Sequence, residues 1–258
     1  MKIFFIVLSL LLISLTSAIN FYLLVHRKIN LKEAFKLICV AAALNKLLFT
    51  GSGYLASSYF SRNKNLPFYK ALSAFFLLEF LAVSLWLTLG VYFGAKIAIR
   101  MPLILVVVLI IFGIMVWLKK DKFIPSIKNI LKYFKEMGAR VFMVIPFVII
   151  NVVLFIIYYF FLFRLFNFHT EMLNIIKIVS VSFTIGYLSF APTGLGFKDT
   201  GLVLLLMENG LSLNVALSIA IIDRVIITVF WGILGAVVGY DLIREEIKKR
   251  FKKRNIES

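Results

Sequence analysis

The chain has 258 residues, of which 62% are hydrophobic, and a mean hydropathy of +1.01, which excludes a soluble globular domain and indicates an all-α, polytopic helical membrane protein. Its 29 Lys and Arg against 12 Asp and Glu give a formal charge of +17, but the basic residues lie between apolar runs, so they read as orientation signals and anionic-headgroup contacts with no role for nucleic acid. Cys39 is the only cysteine, and the two histidines, His26 and His169, are far apart in sequence; no disulfide, metal site or other cofactor is expected.

The first apolar run, Ile3 to Val25, has the Lys2, the apolar stretch and the Thr16-Ser17-Ala18 of a secretory signal. Apolarity resumes at Phe21-Tyr22-Leu23-Leu24-Val25, which extends the run to about 23 residues, the length of a spanning helix. Further spans are predicted over Ala71 to Tyr92, Met101 to Leu118, Val141 to Phe163, and from Ala216 or Arg224 to Tyr240. Two other apolar segments are broken. Ala41 to Tyr59 contains Lys46, Gly51-Ser52-Gly53 and Ser57-Ser58, and Met172 to Met207 contains Ala191-Pro192-Thr193-Gly194-Leu195-Gly196. Backbone that leaves the helix is tolerated at membrane depth only where protein or a water-filled cavity satisfies it.

Basic clusters set the topology. His26 to Lys36 holds four Lys or Arg, Arg62 to Lys70 three, Lys119 to Arg140 seven, and the tail 241–258 seven, so all four are expected on the cytoplasmic side. The result is one integral membrane domain over 1–258, with five full spans, two re-entrant helical hairpins of opposite orientation, an external N-terminus and a cytoplasmic C-terminus in the cell membrane. Broken helices at corresponding places in two halves are the mark of an inverted-repeat transporter. The internal match that hints at such a repeat is short, TGSGYL against PTGLGF. The alternative topology has Met172 to Phe190 crossing fully and Leu211 to Ile222 as a separate short helix. Between spans, Asp121 to Met137 places Phe123, Ile127, Ile130, Phe134 and Met137 on one face, with Lys122, Lys128, Lys132 and Lys135 between them, which predicts an amphipathic helix in the cytoplasmic headgroup plane.

An ionisable side chain inside a span costs roughly 2.5 to 3.5 kcal/mol on insertion scales, so each is a site candidate: Lys46, Glu79, Lys198, Asp199, Asp223 and Arg224. Lys46 and Glu79 could pair across the bundle. At the second break, Pro192, Gly194 and Gly196 would let the chain turn and start a helix near Phe197, whose free amides and positive dipole end favour an anion. Lys198 adds a cation there, and Asp199 would cap the helix and orient Lys198 or Arg224. Asp223 and Arg224 are sequence neighbours and point to different sides of a helix, with Arg224 expected to turn inward toward phosphate or Asp199. Asn45, like Asn20 and Asn151, is a weaker candidate, because a single amide in a span often only joins helices.

The segment Ser189 to Arg224, SFAPTGLGFKDTGLVLLLMENGLSLNVALSIAIIDR, resembles the signature of the lysylphosphatidylglycerol synthase transmembrane region, or flippase-like, family. The matching positions are Pro192, Gly194, Gly196, Lys198, Asp199, Gly210 and Arg224. Leu44 to Leu72 resembles the family's Asn-x-x-x-Pro-Gly region and the basic loop that follows it. Lys198 and Asp199 stand where the family usually has arginine then glutamate, Thr50 where proline is common, and Ser52 and Tyr54 where charges often occur. The resemblance implies movement of a phospholipid or a polyisoprenyl-phosphate-linked lipid between leaflets, with Pro192, Gly194, Gly196, Lys198, Asp199, Arg224, Lys46, Glu79 and Asn45 as the candidate substrate-binding set. The soluble aminoacyltransferase domain that some family proteins carry has no room in these 258 residues. No paired-carboxylate, Ser-His or metal-ligand constellation stands out, so no catalytic residue and no enzymatic activity are expected. The expected partners are the bilayer and an anionic lipid or polyisoprenyl phosphate lipid, with a homo-oligomer or a lipid-synthesis enzyme as further candidates. The competing readings are an accessory protein that binds anionic lipid or a partner enzyme without transport, and a membrane-embedded lipid-modifying enzyme.

Overall fold

The structure, a computed structural model, describes residues 1–25, 28–48, 51–94, 120–188 and 196–257. Among the described residues the regular elements are all helical. In chain order they are α1 (Lys2–Leu24), α2 (Leu31–Leu47), α3 (Ser52–Ser61), α4 (Phe68–Phe93), α5 (Lys120–Met137), α6 (Arg140–Leu165), α7 (Met172–Leu188), α8 (Phe197–Glu208) and α9 (Leu213–Glu257). Four stretches of the described residues are long and apolar enough to cross a bilayer: α1, α4, α6 and Leu213–Leu242 of α9. The fifth predicted span, Met101 to Leu118, lies outside the described residues. Apolar side chains such as Phe80, Phe142, Ile221, Ile233 and Val237 are exposed on these helices, as a lipid-facing surface requires. The molecule is a multi-pass helical membrane protein.

The two broken segments are helical hairpins. Ser57 Oγ donates to the Leu37 carbonyl at 2.9 Å and Ser52 Oγ to that of Leu44 at 3.1 Å, so α3 runs back along α2. A Cβ on Gly53 would lie 1.9 Å from the Ala41 carbonyl oxygen, and the absence of one brings the two backbones together. In the second hairpin Gly186 packs on the Lys198 stem and Gly201 on Ile185. With 10 residues in α3 and 12 in α8, each return arm reaches only about 15 to 18 Å, roughly half of the ~30 Å hydrocarbon core. Neither can cross alone.

The second half of the fold is the first turned upside down. Helix α1 runs antiparallel to α6, with Lys2 at Arg164, Phe5 stacked on Phe161, and Thr16 and Ser17 bonded to Asn151. Helix α2 runs antiparallel to α9, with Lys36 on Asp241 at 2.6 Å, Val40 at Gly239, and Ala43 at Gly235. Helix α4 runs antiparallel to α7, with Trp86 stacked on Phe183 and Gly90 and Gly94 closing on Thr184 and Val181. Following the chain direction through these pairs, α1 to α4 read down, up, down, up, and α6 to α9 read up, down, up, down. The hairpins therefore enter from opposite ends, and each long arm packs on the final helix of the other half.

Two sequence expectations are corrected. The first hairpin spans Leu31–Ser61 rather than beginning at Ala41, so Lys32 and Lys36 of the predicted loop lie on helix, where Asn30 caps the start by accepting from the Glu33 amide at 2.8 Å. The last span starts at Leu213, with no separate Leu211 to Ile222 helix, and it continues through the basic tail to Glu257 as one helix of 45 residues. The amphipathic α5 does form, and its Tyr133, Phe134 and Met137 pack onto the cluster of Phe21, Leu37, Ala71 and Phe75. Helix α1, expected as a span, contributes Leu10, Ser14, Ala18 and Phe21 to the interior along α6 and α2.

Candidate functional site

Both hairpin tips use the same local device. The residue that precedes each return arm is a glycine with positive φ, Gly51 at +95° and Gly196 at +82°, a conformation that costs other residues a Cβ clash. At the first tip the carboxamide oxygen of Asn45 accepts from the amides of Gly51 at 3.0 Å and Gly53 at 2.8 Å, which satisfies donors that α3 leaves free. Asn45 thus organises the turn. At the second tip Asp199 Oδ2 accepts from the Gly196 amide at 3.4 Å, the capping role expected of it. Pro192 and Gly194, predicted to shape this turn, lie outside the described residues.

From each tip one side chain reaches the final helix of its own half. Tyr54 donates to Glu79 Oε2 at 2.6 Å, and Arg224 Nη2 donates to Asp199 Oδ2 at 2.6 Å. Both pairs are separated by 25 residues and both start from the third position of the return arm. They are equivalent positions of the repeat. The structural register matches Gly51 with Gly196, two residues away from the TGSG and TGLG alignment that the sequence offers.

The second tip carries an additional pair. Lys198 Nζ lies 2.9 Å from Asp223 Oδ2, beneath the rings of Phe183 at 4.8 Å and Tyr159 at 5.6 Å. Asp223 is fully enclosed, and the adjacent tyrosines of α6 complete it: Tyr158 donates to Oδ1 at 2.9 Å and Tyr159 to Oδ2 at 3.0 Å. Arg224 thus meets Asp199, one of the two partners expected for it. Asp223 is the inward residue, whereas the Arg224 side chain keeps 34% exposure beside Asp199. A carboxylate with three donors needs the deeper position, since a buried charge is tolerated only when it is paired and hydrogen-bonded. Sequence reasoning named Asp223 as an intramembrane charge but left it out of the site. The signal that could have found it is the Tyr158-Tyr159 doublet, two hydroxyls in an otherwise apolar span. The second carboxylate oxygen of Asp199, Oδ1, is enclosed and has no donor among the described residues.

The family described as lysylphosphatidylglycerol synthase TM region matches residues 1–235. The chain belongs to that family. No curated protein and no solved structure matches it. In this member of the lysylphosphatidylglycerol synthase TM family, Lys198 and Asp199 are both engaged, one with Asp223 and the other with Arg224 and Gly196.

Lys46 and Glu79 do not form a salt bridge, so the sequence-based pairing across the bundle is corrected. Lys46 instead stands exposed at the end of α2, within Coulombic reach of Glu79, Lys198, Asp223 and Arg224. The ion pairs Lys198–Asp223 and Arg224–Asp199 thus sit at the second tip, and Lys46 with the Tyr54–Glu79 bond at the first. Two open cavities, of about 540 and 560 Å³, flank the turn from α3 to α4 and are lined by Lys28, Glu33, Lys64, Asn65 and Tyr69 among others. Neither includes Lys46, Glu79 or a residue of the two ion pairs.

Proposed function

We propose that this protein translocates a phosphate-bearing lipid between the leaflets of the cell membrane, with the headgroup passing between the hairpin tips while the acyl chains stay in the bilayer. The observation that carries the reading is the presence of two oppositely directed broken hairpins in an apolar bundle, each with charged side chains at its tip. In hydrocarbon such charges are expensive and mark a transport path or a polar ligand. Family membership supports a lipid as that ligand. Lys46 is the cation that meets the phosphate, and opening of the Lys198–Asp223 and Arg224–Asp199 pairs releases the second tip. Transport is preferred to catalysis because Asp199 and Asp223, the deepest carboxylates, are each neutralised by a cation instead of being poised as acid and base. On this reading the basic clusters face the cytoplasm, the C-terminus lies inside and the N-terminus outside.

Reconstitution tests the proposal. Vesicles containing the purified protein and a headgroup-labelled phospholipid should move the label across the bilayer faster than protein-free vesicles, and Lys46→Ala or the Lys198→Ala/Arg224→Ala double variant should remove the excess rate. Wild type that melts cooperatively yet transfers no phosphate-bearing lipid overturns the proposal and returns the weight to an accessory role. Co-purification of a stoichiometric lipid-synthesis enzyme would identify that role.

A further inference from the structure

Of Lys198, Asp199, Asp223 and Arg224, only Asp223 is sealed from water. Its donors are the Lys198 ammonium at 2.9 Å and the hydroxyls of Tyr158 at 2.9 Å and Tyr159 at 3.0 Å. The tyrosines stand on α6, a full span, whereas Lys198 stands on the first turn of α8, the short arm that follows the break. A movement that opens the tip therefore draws the cation away and leaves the carboxylate with two neutral hydroxyls. A buried carboxylate without a counter-ion takes up a proton, because burial penalises the charge and hydroxyls do not cancel it. Asp199 differs, since its side chain keeps 22% exposure and water can carry its charge when Arg224 withdraws. The remaining charge packed against this part of α9 is Lys46 of α2, which is exposed and forms no ion pair with Asp223. Tyr158 and Tyr159 are enclosed and the Lys198 side chain is 14% exposed, so the way from water to Asp223 runs along Lys198.

We infer that Asp223 is a proton-binding site coupled to transport, gaining one proton when the second tip opens to a phosphate headgroup and losing it when the tip recloses. The inference rests on the translocation reading. Closed, the Lys198 ammonium and the Asp223 carboxylate sum to zero. Loaded, the ammonium meets one phosphate anion, and the site is neutral again once Asp223 has taken a proton from water onto a carboxylate oxygen. That O–H is the only covalent bond formed, and it has an acceptor at hand, since a tyrosine hydroxyl accepts as well as donates. Without the proton two anions share one cation, and without the phosphate Lys198 loses its counter-ion. Phosphate and proton therefore enter and leave together, as an electroneutral symport. Lower pH favours the open, loaded tip and higher pH the closed one.

Proton uptake is measured on binding and on transfer. Delipidated protein in neutral detergent is titrated with short-chain phosphatidylglycerol by calorimetry, at one pH, in two buffers of unequal ionisation heat. In wild type the two heats should differ by the equivalent of about one proton per lipid bound. Asp223→Asn should remove the difference. Asp223→Glu should keep it, which separates loss of the titrating group from loss of the fold, and Asp199→Asn should keep it too, which assigns the proton to the deeper carboxylate. In vesicles with headgroup-labelled phosphatidylglycerol in the outer leaflet, a more acidic exterior should speed inward transfer by wild type, up to about tenfold per pH unit for one linked proton, and Asp223→Asn should lose that response. Equal heats in wild type, a difference that survives in Asp223→Asn, or wild-type transfer indifferent to the gradient each overturns the inference while leaving translocation standing. Failure of wild type to move the label under any gradient refutes the translocation reading itself.

Discussion

Removing the Asp223 carboxylate gives the sharpest test of how the second tip is held. Asp223→Ala leaves the Lys198 ammonium, only 14% exposed, without its counter-ion and leaves the hydroxyls of Tyr158 and Tyr159 without an acceptor. Breaking a buried ion pair from one side costs about 3 to 5 kcal/mol in soluble proteins. In membranes hydrogen bonds average about 0.6 kcal/mol, because the unfolded chain also finds partners, so three lost bonds set a floor of about 2 kcal/mol. The expected loss therefore lies between about 2 and 5 kcal/mol. Lys198→Met should cost less, since Asp223 keeps both tyrosine donors. The double variant Lys198→Met/Asp223→Leu removes both charges and should be more stable than the sum of the single losses by about 1 to 3 kcal/mol. Reversible unfolding by SDS in mixed lipid–detergent micelles measures each corner of the cycle. Additive losses, or less than about 1 kcal/mol for Asp223→Ala, would show that the four-group cluster does not hold α8 to α6 and α9.

Other expectations follow from the packing. Gly53→Ala places a methyl 1.9 Å from the Ala41 carbonyl oxygen and should cost about 1 to 3 kcal/mol, read as faster hydrogen exchange over 31–61 with 172–208 unaffected. Gly232 and Gly235 lie on the same helix but differ: a Cβ at Gly232 meets nothing within 4 Å, whereas at Gly235 it lies 2.4 Å from the Ala43 Cβ. Gly232→Ala should therefore raise Tm, by about 0.5 to 1 kcal/mol of helix propensity, and Gly235→Ala should lower it. Asn45→Ala removes the acceptor of two tip amides and should cost about 0.5 to 2 kcal/mol, whereas Asn45→Asp, which can accept both, should lose less; thermal melting in detergent compares them.

Much of the architecture was legible because the bilayer imposes length and polarity together. The spans at α1, α4 and α6 came from apolar run length, and the two hairpins from glycine and charge where hydrocarbon forbids both. The basic clusters gave the opposite entry of the hairpins, which the antiparallel pairs α2 with α9 and α4 with α7 reproduce. What sequence could not supply was register and partner choice. The glycine match TGSG to TGLG was offset by two residues because the equivalence is set by the positive-φ residue before each arm, and φ is not written in composition. Asp223 and Arg224, adjacent in sequence, had no intrinsic label for which turns inward; the decision came from Tyr158 and Tyr159, some 65 residues earlier in the chain. The pairing of Lys46 with Glu79 was left open, since opposite charges on different helices do not reveal their separation, and Glu79 is bonded to Tyr54 instead.

The exchange of partners between halves has a consequence for biosynthesis. The seam of α2, where Cys39, Val40 and Ala43 lie against Gly235 and Gly239, can close only after α9 has been made, whereas α7 finds α4 already in place. At about 5 to 20 residues per second, the stretch from the end of α2 to the start of α9 takes on the order of ten to thirty seconds to synthesise. During that interval the first hairpin stands beside the ribosome with its close-packing face open, and any helix with small residues that passes by is a competitor for it. A ribosome stall between α8 and α9 should therefore yield a nascent chain that lacks the partner of α2, and whose first half is the part most in need of an insertase or chaperone.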